Sequence, residues 1–78
     1  MSRRDMLLER MRSAPGATRF SRLQALLGSE GFTVINTRGS HFTYQHSDGR
    51  LLVIVRPHGK RKTCHPRDVR KVLEFLGL

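Results

Sequence analysis

The chain has one cysteine, Cys64, in 78 residues, so no internal disulfide can staple it together. A lone thiol suits a reducing cytoplasm, where the protein is expected to act. The common zinc-finger classes are excluded with the disulfides, because one Cys is too few for their ligand sets. Tryptophan is absent and tyrosine occurs once, so Leu, Val, Ile and four Phe must supply most of the core. No apolar run approaches the roughly 20 residues that span a bilayer. None follows the basic start as a signal peptide would require, so no membrane partner is expected. Acidic residues are scarce as well, and Asp48 and Asp68 have no acidic neighbours in sequence. The clustered carboxylates of two-metal nuclease chemistry are therefore missing.

What the chain has in excess is positive charge. Fifteen Lys+Arg against six Asp+Glu give a net charge of +9, and twelve of the fifteen are arginine. The surplus runs through both halves and is densest from Arg56 to Lys71, where only Asp68 opposes it. Such a field attracts nucleic acid, an acidic protein or an anionic surface. Guanidinium groups favour bidentate contacts to phosphate or carboxylate. Charge by itself does not distinguish RNA from DNA.

The apolar pattern predicts a small α+β domain. Residues 3–13 form a short helix with Leu7, Leu8 and Met11 near one stripe, stopped by Ala14-Pro15-Gly16. A second helix is expected at about 19–30, with Thr18 as its cap and Phe20, Leu23, Leu26 and Leu27 facing inward. The period then changes to two. Phe32–Thr37 is a strand, Arg38-Gly39 a turn, and Ser40–His46 a second strand with Phe42 and Tyr44 on one face and His41, Thr43 and Gln45 on the other. Ser47-Asp48-Gly49 marks a hairpin into a third strand, Arg50–Arg56. A basic loop, residues 57–65, leads to a last helix opened by Pro66, helped by Asp68 and closed by Gly77. The expected order is helix, helix, three-stranded antiparallel sheet, helix, with residues 1–18 an extension and 19–78 the main domain. Half of the apolar third strand then points out of the open sheet face, to be covered by the first helix or by a partner.

Little in the sequence has metal-ligand spacing. His41 and His46 fall on opposite sides of one strand, and His58 and His65 lie in or beside a loop, so neither metal nor cofactor is expected. Cys64-His65 is best read as an unreactive thiol at a helix start, since an oxyanion hole and an orienting group are missing. Gly59-Lys60 lacks the remaining residues of a P-loop. Arg38-Gly39-Ser40-His41 is more specific, because it gathers a glycine turn, a hydroxyl, an imidazole and a guanidinium. A histidine there can move protons in RNA cleavage, where the 2′-hydroxyl already neighbours the phosphate. A surface or binding histidine and a buried one are the alternatives. The last helix offers Arg67, Arg70 and Lys71 for DNA, but no helix-turn-helix accompanies them.

From Phe20 to Leu78 the chain resembles the HicA (YcfA-like) toxins of toxin–antitoxin pairs. The resemblance rests on Leu26-Leu27 before Gly31-Phe32, on Arg38-Gly39-Ser40-His41-Phe42-Thr43-Tyr44, on His46 and Asp48-Gly49, on Pro57-His58-Gly59-Lys60 and on the closing helix. It differs at the start of that helix, where many members have Gly-Thr-Leu and this chain has His65-Pro66-Arg67-Asp68-Val69. The resemblance implies a double-stranded-RNA-binding-like α-β-β-β-α fold and a translation-independent mRNA interferase. It also implies a catalytic histidine at His41 and a HicB-type antitoxin that masks the site; the excess of arginine suits an antitoxin acidic at its interface. On this reading Arg38, Gly39, Ser40, Arg56, His58, Lys60, Arg61 and Lys62 bind RNA phosphates, and cleavage needs no metal. The alternative is a basic RNA-binding module that does not cut.

Overall fold

The computed structural model describes residues 2–78. Helix α1 spans Arg3–Ser13 and opens on a capping box: Ser2 Oγ accepts from the Asp5 N–H at 3.0 Å, and Asp5 Oδ2 accepts from the Ser2 N–H at 3.4 Å. Pro15–Ala17 is a single 3-10 turn. Helix α2 spans Phe20–Ser29, strands β1, β2 and β3 span Phe32–Arg38, His41–His46 and Leu51–Val55, and helix α3 spans Pro66–Phe75. The α-β-β-β-α order with an added N-terminal helix is the architecture expected from the pattern. Against the expected bounds β1 runs one residue further, to Arg38, β2 begins one residue later, and β3 and α2 each lose one residue at either end.

The sheet has the order β1-β2-β3, antiparallel throughout. Val34, Tyr44 and Leu52 form one cross-strand row, and Thr37, Phe42 and Ile54 another. Both rows face the helices, where Tyr44 and Ile54 are fully buried with Leu23, Leu27, Val69 and Val72. The opposite rows are Arg38–His41–Val55, Asn36–Thr43–Val53 and Thr33–Gln45–Leu51. Between Val34 and Asn36 the register slips by one residue, a bulge at the exposed Ile35.

Helix α1 buries Leu8 and Met11 in the common core and packs against α3 and the 3-10 turn. Arg4 Nε donates to Glu30 Oε1 at 2.8 Å, joining α1 to the end of α2. Helix α1 therefore does not cover the open sheet face, and Leu51 (59% exposed) and Val53 (40%) stay in solvent there.

One sequence expectation fails locally, and another holds but is incomplete. Thr18 does not cap α2: the cap position is Arg19, without a side-chain bond. Thr18 is instead buried, and its Oγ1 has no hydrogen-bond partner among the described residues. Asp68 does more than favour the start of α3. Its Oδ2 accepts from the Val55 N–H at 3.1 Å, and the neighbouring Lys71 Nζ donates to Val53 O at 2.8 Å. Together they occupy outward backbone groups of the edge strand β3, which would otherwise invite pairing with another chain. The unusual start of α3 is itself capped, by His65 Nδ1 accepting from the Arg67 N–H at 3.1 Å. Its end is a Schellman turn, with Gly77 at φ 77° and the Leu78 N–H bonded to Leu73 O.

These assignments give two stability predictions. Thr18→Val removes an unpaired buried hydroxyl and should raise stability by about 1 kcal/mol; loss of stability in urea unfolding would indicate a capping role instead. Asp68→Ala leaves the Val55 N–H without its partner and should cost about 2–3 kcal/mol in the same measurement.

Candidate functional site

The first part of the site is a corner of the open sheet face. Gly39 adopts φ 58°, a conformation that reverses the chain in two residues and returns β2 alongside β1. The reversal sets His41 directly across from Arg38. Both side chains are exposed. Ser40 O accepts from the Arg56 N–H at 2.7 Å, which carries the ladder one residue past β3 and brings Arg56 beside the turn. Gly39, Ser40, Arg56, Pro57, His58 and Gly59 then line one open cavity of about 310 Å3.

The second part comes from the loop after β3. Residues 18–20 and 62–64 run antiparallel for one bridge, Arg19 opposite Thr63. The Phe20 N–H donates to Lys62 O at 3.0 Å and the Cys64 N–H to Thr18 O at 2.8 Å. This bridge holds Arg61 and Lys62 against the first turn of α2. A cavity of about 300 Å3 results, with Arg19, Phe20, Ser21, Arg56, Arg61 and Lys62 in its wall.

Of the residues expected from the sequence, Gly39, Ser40, Arg56 and His58 share one cavity, and Arg56, Arg61 and Lys62 share the other. Arg38 and His41 stand beside the first on the sheet face, and Lys60 is exposed in the loop without lining either cavity. Sequence reasoning missed Arg19 and Ser21. Neither falls on a periodic stripe, and only the non-local bridge to Thr63 brings them in.

The other histidines have different surroundings. His46 Nε2 lies 2.9 Å from Glu30 O, and its ring packs on Phe32 and Phe75, so it ties β2 to the end of α2. His65 is the cap of α3. Among the described residues no three His, Cys, Asp or Glu side chains come together as a metal-ligand set. No helix among them is long and apolar enough to cross a membrane.

Cys64 is fully buried, and burial, followed by the nearby Asp68 charge, pushes its thiol up to about 11. A thiol so protonated is a poor nucleophile. Iodoacetamide at neutral pH should therefore leave it unmodified in the native protein and alkylate it once urea unfolds the chain. Rapid native alkylation would show a reactive site.

Residues 20–78, three quarters of the chain, match the family described as HicA toxin of bacterial toxin-antitoxin. The chain belongs to this family, whose members are in general mRNA interferases paired with HicB-type antitoxins. No curated protein and no solved structure matched it.

Proposed function

We propose that this HicA toxin cleaves RNA without a metal, with His41 as the proton-transfer group. The observation that carries the reading is the exposure of His41 at the sheet corner, opposite Arg38 and beside the cavity of Ser40, Arg56 and His58. His41 takes the proton of the 2′-hydroxyl as that oxygen attacks phosphorus. The bond from phosphorus to the 5′-oxygen breaks, and this oxygen takes up a proton from water. The products are a 2′,3′-cyclic phosphate and a 5′-hydroxyl end. Arg38 and Arg56 neutralise charge that grows on the phosphate, the role in which fixed cations contribute most. Ser40 and His58 offer hydrogen bonds to its oxygens, and Lys60, Arg61 and Lys62 hold the flanking backbone. DNA lacks the attacking hydroxyl and is bound without being cut.

The antitoxin belongs on the open sheet face. Val53 and Leu51 supply an apolar strip there, and the strip leads along β3 to the row that contains His41. A partner seated on it, with acidic groups toward Arg38, blocks the corner by exclusion. The chemistry is that of the cytoplasm, where mRNA is found.

His41→Ala should fold, still bind RNA, and lose about 10²–10⁴-fold in cleavage rate, the usual range for a general acid–base group. EDTA should leave wild-type cleavage intact, and end mapping should find new 5′-hydroxyl termini. Wild-type rates in purified H41A would remove His41 from the reaction. RNA binding by the wild type without new ends would favour the non-cutting module.

A further inference from the structure

On the proposed reading one phosphate reacts at the His41 corner, and a strand of RNA must leave that corner in some direction. The open sheet face is a poor route. Of its three cross-strand rows only the first contains a cation, Arg38, and the other two end in the exposed Val53 and Leu51. The other side of the corner differs. The Ser40–His58 cavity shares Arg56, Pro57 and Gly59 with the cavity lined by Arg19, Arg61 and Lys62. That one shares Ser21 with a third, of about 350 Å3, lined by Arg3, Arg4 and Arg22 together with apolar residues of α1 and α2. The walls of all three contain no carboxylate, in a chain where Arg4 is the cation of this trough bonded to an acid, Glu30.

We infer that single-stranded RNA leaves the His41 corner across Arg56 and over the start of α2, with a non-reacting phosphate in the cavity beside Arg19 and the next contacts from Arg22 and Arg3. This rests on the proposed RNA cleavage at His41 and adds to it a binding path and a role for α1, which lies outside the family match. Arg19 and Arg22 are exposed, and the bridge to Thr63 uses the main chain of Arg19, so their side chains can be changed without touching the core. Phe20, half-buried at the cavity wall, gives a base beside that phosphate an aromatic edge. The contacts are electrostatic and independent of base identity, as for other single-strand channels.

The test uses the full chain, with R19Q, R22Q and, as a control of equal charge, R12Q, whose side chain is exposed on α1 away from the trough. Binding is measured in the H41A background by anisotropy of a labelled single-stranded RNA at several salt concentrations. R19Q and R22Q should each reduce the slope of log K against log salt by about 0.7, one phosphate contact in a single strand. With His41 present they should raise KM on long RNA and leave kcat unchanged. They should leave cleavage of a dinucleoside monophosphate unaltered, because its one phosphate sits at His41. Unchanged slopes, an equal loss for R12Q, or an equal loss on the dinucleotide would overturn the path. So would RNA binding as in wild type together with weakened binding of the acidic antitoxin, which would make the trough a protein site. If the wild type binds RNA with these slopes but does not cut it, the nuclease reading fails and the path stands. If it binds no RNA, both fail.

Discussion

Two main-chain hydrogen bonds, Phe20 N–H to Lys62 O and Cys64 N–H to Thr18 O, tie the segment before α2 to the segment before α3. Thr18 and Cys64 are both fully buried, so water cannot replace the bond between them. The bridge fixes three things together. It sets where α3 begins, since His65 caps that helix directly after Cys64. It closes the helical layer over Tyr44 and Ile54. It also holds Arg61 and Lys62, which would otherwise swing on a loop, against Arg19.

The sheet divides the surface by chemistry. One face is covered by α2 and α3. The other is apolar along β3 and becomes polar at the corner where Arg38 meets His41. The cations gather beyond that corner, around the loop and the start of α2. On the proposed reading a protein partner and an RNA strand meet different surfaces that join at His41, and a partner on the apolar strip need cover no more than that junction to stop the chemistry. The edge of β3 beside the strip is guarded by Asp68 and Lys71, which occupy Val55 N–H and Val53 O. This favours association through side chains on the face over addition of another strand at the edge.

Local signals carried much of the fold. The three helical stripes, the period of two around Phe42 and Tyr44, Gly39 and Gly49 at the turns and Gly77 at the last stop each depend on neighbours within a few residues, and each element formed. The same alternation put His41 opposite Phe42 and Tyr44, and hence in the open. Thr18 shows where this reasoning ends. Its residue type suits a helix cap, but the bridge to Cys64 pulls it into the core and passes the cap position to Arg19. Asp68 shows the same limit: it sits in the first turn of α3 as its charge suggests, yet its partner is a strand edge thirteen residues back.

By itself the sequence determined the order of elements, the side of the strand on which His41 stands, the strong positive charge and the family likeness, because these follow from periodicity, turn chemistry, composition and motif. Only the tertiary structure decided that α1 packs on α3 and leaves the sheet face bare, that Arg19 and Ser21 join Arg56, Arg61 and Lys62 around one cavity, and that Asp68 seals an edge. Each of these depends on contacts between residues far apart in the chain, whose geometry is set by the packing of the whole core and by no local pattern.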